Sequence, residues 1–577
     1  MRAVAPLVVL GFALLPFAIG LGTWALFEPD EGRNAEIARE MLASGDWVVP
    51  HLNGLPFLDK PPLLFWVLAA AFRLLGQSES VARLPSMLAA FATIACTYAL
   101  GRALLDGRRA ATAATVLATS PMVLAFGRLV IFDMPLTAFV MGAVYALVRA
   151  RLDGNAWRWL PLAGFLLGLA LLTKGPVGLV LPLVVWAAVR GVLPDGRTRQ
   201  ARPAFVLALL VAAVMSGSWV AAVMSREPDF LRYAFVEETL LRVGSAAHFH
   251  RGGPAYYYLQ TVAWALGIWG LPLVVLGPTL VRSLRAGGPD AMAIRFAARA
   301  AGVIIVFFTL SASKRPQYIL PALVPLSLLV AIGMTARPRL SGAILRTAGW
   351  IAAIAGSGVL MLAVTGTVPT DIRSKLPIRE MLQLGGIVLL TWGLVTARVA
   401  RRPNRAVVCA AAFGPFLILA MLRPLAIYAE RRSARQVAAS IPADAPVVCF
   451  DTFRTSLPFY LKRSVTVLSD RGDALTSNYV VSQRARLREP TLGFEGSLAD
   501  VLADNPISYV LIARGEVTRL RPLAPRHRLV VVARDARSTL LRASSLSDAL
   551  PLACREATGG CEQAEMIPTS SGTRPRS

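Results

Sequence analysis

The stretch from Phe27 to Pro62, FEPDEGRNAEIAREMLASGDWVVPHLNGLPFLDKPP, decides how this chain is read. In front of it runs Val4 to Phe27, apolar and without a single charge. That run ends on Glu28, Asp30 and Glu31, with Arg33 and Glu36 close behind and Lys60 set beside Pro61 and Pro62. Carboxylates at the mouth of a membrane helix are costly unless they meet water, a cation or a substrate, so the stretch is a candidate functional site. A solvated loop whose acids only cap a helix is the alternative. Ala35 to Ala43 carries a helical pattern that Gly45-Asp46 breaks, and Pro50, Asn53-Gly54, Pro56 and Pro61-Pro62 force turns after it. The loop 28–83 is therefore expected to hold short helices lying along a membrane surface, with Asp59-Lys60 held stiff between prolines.

The rest of the chain fits that setting. Of 577 residues, 55% are hydrophobic and only 16% charged, with a mean hydropathy of +0.57, which excludes an ordinary soluble protein of this length. Thirteen uncharged apolar runs recur near spanning length: 4–27, 84–101, 110–127, 134–148, 159–173, 175–189, 203–225, 255–281, 300–313, 316–336, 347–370, 381–397 and 406–422. Leu63 to Phe72 is too short to cross and reads as interfacial or re-entrant. Val4 to Phe27 is long for a signal peptide and lacks a small-residue cleavage site, so it is kept as the first helix. The net charge of +26 is not a nucleic-acid footprint. Arginine instead alternates by loop, being dense in GRALLDGRRA, VRARLDGNAWR, RGVLPDGRTRQAR, RSLRAGGPDAMAIRFAAR, TARPRLSGAILR and TARVARRPNR. By the positive-inside rule those loops are cytoplasmic, and thirteen crossings put everything after Leu422 outside. Cys554 and Cys561 would then lie in an oxidising compartment and could pair, a weak signal among five cysteines.

The outer loops carry the chemistry. Besides the first, they are GRLVIFDMPLT with Arg128 and Asp133, TKGPVG with Lys174, the long loop ending in HFHRGGPAYYYL, and SASKRPQYILP. Asp30, Glu31, Arg33, Lys60, Asp133, His248, His250, Arg251, Lys314, Arg315 and Tyr318 are thus all expected on one side of the membrane. Lys and Arg at a water–lipid boundary suit a phosphate headgroup. Asp30 could orient an acceptor or take its proton, and Asp30 with Asp133 would repel unless a cation or proton lay between them. The tyrosines and tryptophans near Tyr256 to Trp269 suit a membrane interface, and could also stack on a sugar. His248 and His250, two apart, could form a divalent metal site with Asp59, although two loop histidines and a distant acid are weak evidence for one.

From about Arg423 the pattern changes. Val447–Phe450, Val465–Leu468, ISYVLIAR and RLVVVAR read as strands interleaved with short helical patterns, giving a soluble α/β domain over 423–560 and a disordered tail over 561–577. It shows no nucleophile–base pair and reads as an accessory or recognition domain.

At this point the residues carry a resemblance. DEGRNAEIAREMLASGDWVVPHLNGLPFLDKPPLLFWVL resembles the signature of the GT-C class of lipid-linked-sugar-dependent glycosyltransferases, in particular the bacterial aminoarabinose lipid A transferases and their protein O-mannosyltransferase-like relatives. GRLVIFDMPLTAF, LLTKGPVGLVLP, HRGGPAYYYL, SKRPQYILPALVPL and SLPFYLKRSV are similar to that family in the same order. The resemblance implies an α-helical polytopic fold of about thirteen transmembrane helices over 1–422 with an outer α/β domain. It implies a polyprenyl-phosphate sugar donor, an acceptor such as lipid A at the periplasmic face of a bacterial inner membrane, and inversion at the sugar carbon. It makes Asp30 the principal catalytic carboxylate, with Asp133 as partner and Glu31 beside it. Lys60 and Arg251 would hold the donor phosphate, with Arg33, Lys314 and Tyr318 lining the same cavity. The family usually has Tyr at the position of Asn34 and Glu at that of Asp59; the shorter Asp59 side chain can still reach a cation, but the zinc site of some members is not assumed for this chain, and the sugar stays open. Transfer of another sugar to a glycan or protein hydroxyl stays open. So does a non-catalytic polyprenyl-phosphate carrier or scaffold, which acids or histidines midway through the helices would favour.

Overall fold

A computed structural model describes residues 4–194, 201–234, 237, 253–365, 378–400, 403–468, 474, 477–483, 498–505 and 507–546. The chain divides into two compact units. One holds residues 1–24, 45–49 and 58–428; the other holds 25–44, 50–57 and 429–577. The first loop is therefore shared out, and its acidic segment groups with the C-terminal domain.

The first unit is helical. Among the described residues ten helices are long and apolar enough to cross a membrane, from Glu79–Leu104 to Val407–Glu430. The other three apolar runs take different forms. Helix α1, Val4–Ala18, stops well short of Phe27, and Gly20 follows it at positive φ. The run 110–127 breaks at Ser120-Pro121 into Gly107–Ala118 and Pro121–Phe126, because proline takes the first position of a helix but not its interior. The run 175–189 becomes Val177–Val189, thirteen residues long. A count of thirteen full-length spans therefore does not follow from helix length. Leu63–Leu75 is a short helix, as its length in the sequence suggested.

The spans form where capping residues place them. Ser78 accepts from the Val81 amide at the head of Glu79–Leu104, Asp106 from Arg108 and Arg109, and Asn155 from Arg158. Pro316–Ala336 is the innermost span, with 89% of its apolar window buried, and the main core packs around it. Elsewhere helices meet backbone to backbone through small residues. A Cβ on Gly356 would lie 2.4 Å from the Leu390 amide, so Pro338–Thr365 can pack on Ile378–Val399 only through glycine there.

The second unit is α/β. Helix α2, Asp30–Ser44, is followed by a tight hairpin of β1, His51–Leu52, and β2, Leu55–Pro56, turning at Asn53-Gly54. The C-terminal segment supplies β3 Val447–Phe450, β4 Thr466–Leu468, β5 Ile507–Ala513, β6 His527–Arg534 and β7 Ser538–Ser545. They form one sheet in the order β4-β3-β5-β7-β6, with β3 parallel to β4 and β5 and the other pairings antiparallel. The continuous apolar run of β3 is buried on both faces, as a central parallel strand requires. Four of these strands were legible as sequence patterns; β7 was not.

Candidate active site

In the first unit, the ends of several helices enclose a cavity of about 480 Å³. Its walls are mostly apolar, with Leu136, Val177, Val180, Phe307 and Phe308 among them. Lys60, Asp133, Lys174, Gln317 and Tyr318 bring polar groups to it. Asp133 opens the helix Asp133–Leu152, and Lys174 closes the helix Ala156–Lys174. Each charge thus sits at the helix end whose dipole favours it. Lys174 Nζ donates to Asp133 Oδ1 at 2.5 Å and lies 4.6 Å from the centre of the Tyr318 ring. The turn carrying Tyr318 is held by Tyr258, whose hydroxyl accepts from the Arg315 amide and donates to the Arg315 carbonyl.

On another wall, Lys60 Nζ donates to the Asp59 carbonyl at 2.5 Å, and the buried Asp59 carboxylate accepts from the Tyr233 hydroxyl at 2.7 Å. Lys314 donates to the Ser311 carbonyl at 2.9 Å. Arg251, His248 and His250 lie outside the described residues. Among the described residues no three His, Cys, Asp or Glu side chains converge on a point where a metal could bind. The metal site expected at Asp59, His248 and His250 thus lies partly outside the described residues.

The chemistry of this cavity is that of an amphiphile's seat. Apolar walls take a hydrocarbon chain, and ammonium groups in a low-dielectric surround hold an anionic head strongly. Sequence reasoning placed Lys174 on an outer turn but gave it no role. Its signal was a lone cation at a helix C-terminus, directly before Gly175-Pro176.

In the second unit, the acids of α2 divide by task. Glu31 is buried and accepts from the Phe27 amide, capping its own helix, and so serves structure. Glu36 and Arg39 form a two-pronged pair, and Glu40 accepts from the Asn53 and Gly54 amides, which fixes the hairpin. Burial pushes the Glu36 carboxyl up to about 7 against the pull of Arg39, and raises Glu40 too. Asp30 differs. Its side chain is 36% exposed, and Arg33, one turn on, holds Oδ1 at 2.5 Å while stacking over Phe57. It is the more exposed of the two acids in this turn.

The comparisons with known proteins agree with this chemistry. Residues 59–220, which hold Lys60, Asp133 and Lys174, match the family model described as dolichyl-phosphate-mannose-protein mannosyltransferase. The chain is 30% identical over 387 residues to the undecaprenyl phosphate-alpha-4-amino-4-deoxy-L-arabinose arabinosyl transferase of Edwardsiella ictaluri, covering 66% of this chain and 68% of that one. It is 30% identical over 418 residues to the Pseudomonas aeruginosa protein of the same name, covering 70% and 73%. The crystal structure of ArnT from Cupriavidus metallidurans bound to undecaprenyl phosphate superposes with a TM-score of 0.76 at 25% identity, covering 93% of this chain and 97% of that one. With ten membrane-length helices, an α/β domain and relatives matched over more than two thirds of their length, this multi-pass membrane protein belongs to the undecaprenyl phosphate-aminoarabinose arabinosyl transferase family, glycosyltransferases of the GT-C class.

Proposed function

We propose that the chain moves 4-amino-4-deoxy-L-arabinose from undecaprenyl phosphate to a phosphate of lipid A, at the periplasmic face of a bacterial inner membrane. The observation that carries this reading is the apolar cavity bearing Lys60 and the Asp133–Lys174 pair, a seat suited to a polyprenyl chain ending in phosphate. The sidedness rests on the helices Asp133–Leu152 and Ala156–Lys174: Asp133 and Lys174 stand at one end, while Arg149, Arg151 and Arg158 stand at the other, about 30 Å away for a twenty-residue helix. The arginine end belongs in the cytoplasm, which puts the cavity end outside.

In the reaction, the bond between the sugar's anomeric carbon and the donor phosphate breaks, and an acceptor oxygen bonds to that carbon with inversion. Lys60, with Arg251, takes up the charge growing on the departing lipid phosphate, which supplies most of the rate enhancement. A lipid A phosphate is already ionised and needs no strong base, so Asp30 orients the acceptor rather than deprotonating it. Tyr318 covers Lys174 in the cavity, and Asp133 sets the position of Lys174.

Transfer from a panel of radiolabelled polyprenyl-phosphate sugars, in proteoliposomes containing lipid A, tests the reading. Aminoarabinose transfer that falls a hundredfold or more in both Asp30→Asn and Lys60→Ala is the expected result, on the scale of losing one charge-stabilising group. Transfer of a different sugar would rename the donor. Binding of undecaprenyl phosphate without any transfer would make the chain a carrier or scaffold. Chelation by EDTA is expected to leave the rate unchanged, and a loss restored by zinc would instead put a cation at Asp59, His248 and His250.

A further inference from the structure

The C-terminal sheet has a topological feature with a chemical consequence. β3 leads to β4 on one side and then to β5 on the other, so the strand order reverses between β3 and β5. In open α/β sheets the crevice outside the carboxyl ends of the strands, at such a reversal, is where ligands bind. Here an acidic side chain from the first loop occupies that place. Glu28 accepts from the Ser456 amide at 3.1 Å and from the Ser456 hydroxyl at 2.7 Å, just beyond β3 at the head of the helix Leu457–Leu461. Its other oxygen accepts from Arg454, and the two side chains are only 3% and 4% exposed. Arg454 also donates to Asp535 at 2.6 Å and to the Ser538 hydroxyl at 2.9 Å, at the start of β7.

The neighbouring backbone is fastened too. Thr455 donates to the Pro29 carbonyl, the Leu26 amide donates to the Tyr460 hydroxyl, and the Glu28 amide donates to the Arg432 carbonyl. A Cβ on Gly32 would lie 2.7 Å from Ser456 Cβ and 2.8 Å from its amide nitrogen, so the first turn of α2 sits directly on the loop after β3. Further along, Asn53 exchanges two hydrogen bonds with the Val465 backbone, and Arg39 reaches the Lys462 carbonyl. The residues on either side of Asp30 are therefore gripped while Asp30 itself faces outward.

We propose that the C-terminal domain is a receptor for the first loop, holding Glu28-Pro29 in the ligand place of its sheet and thereby setting Asp30. Glu28, Arg454 and Ser456 are then positioning residues for sugar transfer. The proposal rests on the reading of Asp30 as the carboxylate that acts on the acceptor. A domain that merely decorated the enzyme would have no reason to fill its switch-point crevice with the loop that carries Asp30.

The test uses the full chain in proteoliposomes, with binding sites for undecaprenyl phosphate counted so that only folded protein enters the rate. Glu28→Gln, Ser456→Ala and Gly32→Ala are expected to lower kcat per donor-binding site tenfold or more while the KM for donor stays within twofold. Arg454→Lys, which keeps the charge and loses the fork, is expected to fall less than Arg454→Met. Wild-type kcat in Glu28→Gln and Ser456→Ala would overturn the proposal. So would a loss of rate fully explained by fewer donor-binding sites, because the domain would then serve folding alone. Asp30→Asn, measured alongside, separates the two ideas: full activity in that variant would sink the reading of Asp30 itself, whatever the other variants do.

Discussion

Lys174 shows how a residue's burden follows from its place. Its side chain, 17% exposed, pairs with an Asp133 side chain that is 11% exposed, and the Tyr318 ring lies over its ammonium. Removing one partner of such a pair leaves an uncompensated charge away from water. Lys174→Met is therefore expected to destabilise the protein by about 3–5 kcal/mol, whereas Asp133→Asn combined with Lys174→Met costs clearly less. Thermal unfolding in detergent would show this as a large drop in apparent Tm for the single variant and partial recovery in the double. Equal losses in both would mean that the pair contributes nothing as a pair. Lys60, singled out beside Pro61-Pro62 in the sequence, does line the cavity. Lys174 was not singled out, because one lysine at a turn shows no partner until the distant Asp133 is folded against it.

At the scale of the element, α2 is the instructive case. The sequence showed helix over Ala35 to Ala43, yet the helix starts at Asp30. The acids in its first turn, which looked like catalytic candidates together, suit the helix N-terminus. Glu31 serves as a cap and Asp30 stays outward, a division that residue type cannot reveal. Deeper in α2, Glu36 carries a folded pKa of about 7, raised by burial from the ordinary 4.5. Glu36 therefore binds more protons in the folded than in the unfolded protein between those values, so the stability that it contributes is fully present below about pH 4.5 and is lost as the pH rises through about 7. The contribution is on the order of 3 kcal/mol, and Glu36→Gln is expected to flatten that part of the pH profile. Unfolding of the wild type that is independent of pH between 5 and 8 would contradict it. β7 illustrates the opposite difficulty. Its sequence, STLLRASS, has little apolar alternation, and it is a strand because both β5 and β6 pair with it.

For the whole molecule, hydropathy revealed the helical unit, because it is a property of long segments, and the arginine distribution supplies the orientation proposed for it. What stayed hidden was the grouping of residues 25–44 and 50–57 with a domain that begins at 429. That grouping depends on contacts such as Glu28 to Arg454 and Asn53 to Val465, across some four hundred residues, for which no local pattern exists. One experiment reaches the central claim most directly: donor affinity and single-turnover transfer, measured together on purified wild type, Lys60→Ala and Asp30→Asn in proteoliposomes. Donor binding is expected to weaken at least tenfold in Lys60→Ala. In Asp30→Asn it is expected to stay unchanged while transfer is lost. Wild-type binding and wild-type transfer in both variants would contradict the assignment of this cavity and this carboxylate to sugar transfer.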